Sequence, residues 1–271
     1  KDYSVTPPRI VIGIPKARIG EACTVNGSHS LVSADLSKTP TGAKLTLALT
    51  KPLDYTVETA ENQIVVHVRP LLKSGGTLAG KVVLLDPGHG GKQKGACAGG
   101  AMEKNVNMQI AKDVAAALVK QGARVILSRD SDIDKGLAER ARTAINQGAD
   151  FFIALHCNSN LVAGSATGIE TYYHFEEPSP KTLATFIHDG VCKYTGMCDR
   201  RARSDLSLHY TTGLGVLRTL SGSGVPGILV ECGYINNPTD RAKLLDATYR
   251  SKIASGIVAG LKAYIGDGSS E

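Results

Sequence analysis

Val82-Val83-Leu84-Leu85 runs directly into Asp86-Pro87-Gly88-His89-Gly90-Gly91, and this stretch limits the fold more than any other. Four consecutive apolar residues read as a strand buried on both faces. The turn after it combines a fixed dihedral at Pro87 with unusually free backbone at the glycines. A histidine there projects past the carboxyl end of the strand, where open α/β sheets place ligands. One loop histidine has little meaning by itself, so the reading depends on partners elsewhere in the chain.

From Lys81 onward, strands alternate with helices. Val106, Ile110, Val114 and Leu118 recur every fourth residue after Glu103, and Gly122 closes that helix. Residues 124–127 and 151–155 read as strands, with a helix over 137–146 between them. A strand at 168–175, a helix at 180–194 and short strands at 214–217 and 228–230 follow. Asn237-Pro238 opens another helix, and Ile253, Ile257, Leu261 and Ile265 form one stripe on the last. The expected fold is α/β, with a mixed sheet of about six strands flanked by helices. Ahead of it, residues 1–72 read as a small all-β, sandwich-like domain. The evidence there is an apolar run at 9–14, period-two alternation over 44–49, and a hairpin between 55–58 and 64–68. Lys73-Ser74-Gly75-Gly76-Thr77 has the composition of a linker, which sets the boundaries at 1–72, 73–79 and 80–267.

With 271 residues, the chain is long enough for one large core and a smaller domain. No apolar run approaches the roughly 18 residues that span a bilayer. A net charge of +6 suits an anionic polymer such as a cell wall. Nucleic acid fits poorly: the basic run at 200–203 is short, and the absence of Trp leaves few stacking platforms. The six cysteines follow no scaffold spacing. Cys192 and Cys198 are near enough in sequence to close a small loop, whereas Cys157 and Cys232 read as small buried hydrophobes facing away from their neighbours.

His89 follows the first strand of the α/β part, Glu103 begins its first helix, and His156 ends a later strand. Two imidazoles and a carboxylate with an open position make a catalytic zinc set. Glu231 closes the apolar strand 228–230, where a carboxylate needs a partner for its lost hydration. It reads either as a salt bridge to Arg218 or Arg241 or as a general base beside an activated water.

These motifs resemble the zinc-dependent N-acetylmuramoyl-L-alanine amidases of the Amidase_3 family. The resemblance rests on residues 84–91, Glu103-Lys104, Ser128-Arg129-Asp130, Ala138-Glu139-Arg140, residues 155–159 and residues 230–238, in the family's order. It implies that His89, Glu103 and His156 bind Zn²⁺ and that Glu231 is the catalytic glutamate. The implied reaction is hydrolysis of the amide between N-acetylmuramic acid and L-alanine of the stem peptide. The implied partner is peptidoglycan, outside the cytoplasmic membrane in the periplasm or cell wall, with the signal peptide absent from the chain and a monomer as the expected state. Asn158 and Arg218 are expected stem-peptide contacts, and Arg129 and Arg140 structural ion-pairing residues. Residues 1–72 resemble an AMIN domain that begins some way inside its usual pattern, with Gly13 where that family often has Asp. Cys157 and Cys232 depart from the amidase pattern, and the short stretch 161–168 leaves no room for a long plugging helix. The alternatives are a zinc carboxypeptidase acting on the stem peptide and a non-catalytic wall-binding protein.

Overall fold

A computed structural model describes residues 2–5, 8–16, 31–49, 53–60, 63–70, 76–176, 178–208 and 211–266. Cys23, His29 and residues 73–75 of the expected linker lie outside the described residues. The chain divides into two compact units, Lys1–Leu71 and Leu72–Glu271.

Among the described residues, the first unit is all β. β1 (Asp2–Val5), β2 (Pro8–Pro15), β3 (Leu31–Thr39) and β4 (Gly42–Leu49) form an antiparallel sheet in the order β1-β2-β4-β3. The alternation along β4 turns Leu47 and Leu49 onto Ile10 and Ile12 of β2, and these four make its small core. β5 (Leu53–Ala60) and β6 (Gln63–Pro70) are the expected hairpin, with Ala60 opposite Gln63.

The second unit opens with β7 (Val82–Pro87), the short β8 (Cys97–Ala98) and β9 (Ala101–Met102), and α1 (Glu103–Val119). β10 (Arg124–Leu127), α2 (Leu137–Asn146), β11 (Phe151–Asn158), β12 (Ile169–Tyr173), α3 (Pro178–Thr195) and β13 (Asp199–Ser204) follow. α4 (Gly215–Leu220), β14 (Gly227–Tyr234), α5 (Pro238–Leu245) and α6 (Ala247–Gly266) complete it. The sheet order is β10-β7-β11-β14-β12-β13. Its first four strands are parallel, β12 runs antiparallel to β14, and β13 runs parallel to β12.

Strand periodicity sorts the core into two layers. Val83, Leu85, Ile153, Leu155, Ile228 and Val230 face α1, α3 and α6, meeting Ile110, Val114, Ile187, Ile257 and Leu261. Leu84, Phe152, Ala154 and Leu229 face α2 and α4, meeting Ala141, Ala144, Val216 and Leu217. Cys157 and Cys232 belong to the first layer, so they face away from His156 and Glu231, as expected.

One expectation is corrected. The run 214–217 is not a strand; it enters helix α4, whose 216, 217 and 220 positions are buried together. Four apolar residues do not by themselves tell the two apart. Two further features were not read from sequence: the basic run 200–203 lies in an edge strand, β13, and the end of the 73–79 stretch lies in the second unit. There the Gly76 N–H donates to the Lys262 carbonyl at 3.1 Å and Leu78 is buried in the main core.

Candidate active site

The site lies where β7, β11 and β14 end. β7 delivers the loop that carries His89, and two buried arginines hold that loop from behind. Arg140, on α2, pairs with Asp86 at 2.7 Å and donates to the carbonyls of Pro87 at 3.0 Å and His89 at 2.7 Å. Arg129 donates to the carbonyls of Pro87 at 2.9 Å, Gly88 at 3.1 Å and Lys104 at 2.8 Å. Arg140 is therefore the ion-pairing residue expected, whereas Arg129 spends its guanidinium on backbone carbonyls. This scaffold holds His89 at φ +61°, a region that costs a side-chain-bearing residue roughly 1–3 kcal/mol.

α1 begins with Glu103, whose carboxylate lies between the two imidazoles. Its Oε2 is 3.1 Å from His89 Nε2, and its Oε1 is 3.0 Å from His156 Nδ1. The N–H groups of Ala96 at 2.8 Å and Cys157 at 3.2 Å also donate to it. Burial works to raise the Glu103 pKa, but the contacts with His156 and His89 outweigh it and hold the group well below the usual carboxylate range. One donor atom from each of His89, Glu103 and His156 lies within 4.8 Å of the others. Close backbone approach makes room for them. A Cβ on Gly88 would run into the His156 ring, and one on Gly95 would meet both Glu103 and His89.

Glu231 stands beside this group. In the β11–β14 register His156 is opposite Glu231, and in the β14–β12 register Glu231 is opposite Glu170. The three side chains therefore share the sheet face that carries α2 and α4. Glu231 Oε2 is buried without a hydrogen-bond partner. No described ion pair joins it to Arg218 or Arg241, which excludes the salt-bridge reading among the described residues. Burial first, then the charges of Glu103 and Glu170, push its pKa well above the ordinary value. Burial also raises the Cys157 and Cys232 thiols, so both stay protonated next to the site.

Two residues of this neighbourhood were not anticipated from sequence. Glu170 is buried and accepts from Asn158 Nδ2 at 2.7 Å, Tyr172 Oη at 2.8 Å and Arg200 Nε at 2.9 Å. The Arg200 guanidinium also lies 5.3 Å over the Tyr234 ring. The available signal was a carboxylate inside the strand Ile169–Tyr173, the same anomaly that drew attention to Glu231. Asn158 is thus next to the site and anchored by Glu170. Arg218 is exposed and donates to Thr212 Oγ1 at 2.7 Å. No described hydrogen bond or ion pair connects it to His89, Glu103, His156 or Glu231.

Residues 83–263 match Amidase_3, the family of N-acetylmuramoyl-L-alanine amidases. The chain belongs to the Amidase_3 family. It is similar to the N-acetylmuramoyl-L-alanine amidase LytC of Bacillus subtilis, with 29% identity over 252 residues, 92% of this chain and 48% of that protein. It is also similar to the probable cell wall amidase LytH of Staphylococcus epidermidis, with 34% identity over 194 residues, 70% of this chain and 60% of that protein. The chain therefore spans about half the length of LytC. Among solved structures, an N-acetylmuramoyl-L-alanine amidase from Clostridium difficile 630 superposes with a TM-score of 0.63 at 34% identity, covering 68% of this chain and 96% of that one. Among the described residues of this Amidase_3 protein, no helix is long and apolar enough to cross a membrane.

Proposed function

We propose that this chain is a zinc-dependent N-acetylmuramoyl-L-alanine amidase that hydrolyses the amide between the lactyl group of N-acetylmuramic acid and L-alanine of the stem peptide. The observation that carries the reading is the meeting of His89, Glu103 and His156 from three separate elements, with Glu231 beside them on the next strand. Two imidazoles and a carboxylate suit zinc, and three protein ligands leave a position open for reactants. The low Glu103 pKa keeps that ligand ionised, and the missing side chains at Gly88 and Gly95 let the His156 ring, Glu103 and His89 come together.

Zn²⁺ held by His89, Glu103 and His156 supplies Lewis acidity, which makes a water more acidic and the scissile carbonyl more electrophilic. Glu231, as general base, takes a proton from the attacking water. It returns that proton to the departing L-alanine nitrogen as the C–N bond breaks. The unpartnered Oε2 and the raised pKa suit both halves of that transfer. Asn158, anchored by Glu170, and Arg218, on the helix that packs on the same sheet face, are the proposed stem-peptide contacts. The first unit is proposed as an AMIN-like wall-binding domain. The place of action is peptidoglycan outside the cytoplasmic membrane, in keeping with the wall amidases it resembles.

The test is substitution with two readouts. Glu231→Gln should retain the zinc equivalent held by His89, Glu103 and His156 and release no stem peptides from purified peptidoglycan. His89→Ala and His156→Ala should lose that equivalent as well. Release of stem peptides by Glu231→Gln would remove Glu231 from the chemistry, and release of single terminal residues by the native protein would make it a carboxypeptidase.

A further inference from the structure

A second group of metal-ligating side chains is built into the other layer of the domain, where α3 crosses the sheet edge. His188 and Cys192 are one helical turn apart on α3, so both project from the same face. Asp199, the first residue of β13, faces them. His188 Nε2 is 2.8 Å from Asp199 Oδ1 and 3.4 Å from Cys192 Sγ. One donor atom from each of the three lies within 4.8 Å of the others. His188 and Cys192 are 2% and 4% exposed.

We propose that His188, Cys192 and Asp199 form a second cation site for a transition metal of zinc-like softness, separate from the catalytic group. Three observations carry it. The donor set is a thiolate, an imidazole and a carboxylate, a combination that favours zinc-like ions over calcium or magnesium.

Two of the three spacings are near what such an ion needs, and the third lies within 4.8 Å. A tetrahedral zinc separates an imidazole nitrogen from a thiolate sulfur by about 3.5 Å, and from a carboxylate oxygen by about 3.3 Å. The Cys192–His188 distance already matches, and the His188–Asp199 pair has to open by about half an ångström.

The outer shell is also in place. His188 Nδ1 is 3.1 Å from Thr171 Oγ1 on β12, and the Arg201 N–H donates to Asp199 Oδ1 at 2.8 Å. A hydrogen bond from Nδ1–H to the Thr171 hydroxyl leaves the Nε2 lone pair directed at the site, the arrangement that orients metal-binding histidines. Binding releases the Cys192 thiol proton, places the single imidazole proton of His188 on Nδ1, and leaves a fourth position for water. The cation would join α3 to the two outermost strands, β12 and β13, and would stabilise the sheet edge without taking part in hydrolysis.

Cobalt distinguishes the two sites because only this one contains a thiol. The full chain, held reduced with a phosphine, is titrated with Co²⁺ and followed in the near ultraviolet for thiolate-to-cobalt charge transfer. The band should appear, disappear in Cys192→Ser, and persist in His156→Ala, which loses only the catalytic equivalent. Thr171→Val keeps the packing volume and should weaken the cobalt affinity read from the band by about tenfold. Absence of the band from the native chain, or its survival in Cys192→Ser, would overturn the proposal. So would an unchanged affinity in Thr171→Val.

Discussion

Glu231 lies inside the largely apolar strand β14 with one oxygen buried and unpartnered, and that position works against the fold. A carboxyl group whose folded pKa is raised holds a proton that the unfolded chain has released. It therefore costs stability above the ordinary value of 4.5, by an amount that grows as pH rises towards the raised value. Metal-free Glu231→Gln should consequently melt at a higher temperature than the metal-free native chain at pH 7. The gap should close as pH falls to about 4.5, and calorimetry across that range reads it. Glu103 has the opposite sign. Its lowered pKa contributes stability that is complete above 4.5 and lost as pH falls through the lowered folded value. Sequence could identify both residues, because a carboxylate closing the apolar run 228–230 and one opening a periodic helix are both visible in one dimension. It could not say that Glu103 is held by two imidazoles while Glu231 is held by none, since that depends on atoms from β7, β11 and β14 meeting.

Helices and strands carry the site through a few tethers. α2 is bound to the His89 loop by the Arg140–Asp86 pair, with Arg140 and Asp86 respectively 3% and 2% exposed. Arg140→Ala would leave a buried carboxylate unpaired, so denaturant titration should show a loss of about 3–5 kcal/mol. The metal equivalent should weaken as well, because the His89 carbonyl loses its donor. α5 begins at Asn237, whose side chain accepts from the Thr239 and Asp240 N–H groups at 2.9 and 3.2 Å. Asn237→Ala should cost about 1 kcal/mol by the same measurement. The caps and long amphipathic stripes were legible because they are local. α4 and β13 were not. The 214–217 run is too short for its period to separate helix from strand, and the arginines of β13 look like a solvated patch until Arg200 is seen paired with buried Glu170.

For the whole molecule, the chain divides into two units, and the proposed wall attachment and the proposed hydrolysis are assigned to different ones. A fragment of residues 76–266 should retain both metal and release of stem peptides from soluble fragments, yet sediment less with intact peptidoglycan than the full chain. A fragment starting at residue 80 omits Leu78, which is 1% exposed in the main core, and should be less stable by about 2 kcal/mol. The sequence alone determined the α/β alternation, the all-β stretch ahead of it, and the residue types proposed as ligands and base. Each of these is a matter of residue type and short-range period. Tertiary structure decided that donors 14, 53 and 67 positions apart share one centre, that Glu170 lies in the same row, and that His188 and Cys192 meet Asp199. Strand order and layer packing bring such distant residues together, and neither is written in any local window of the chain.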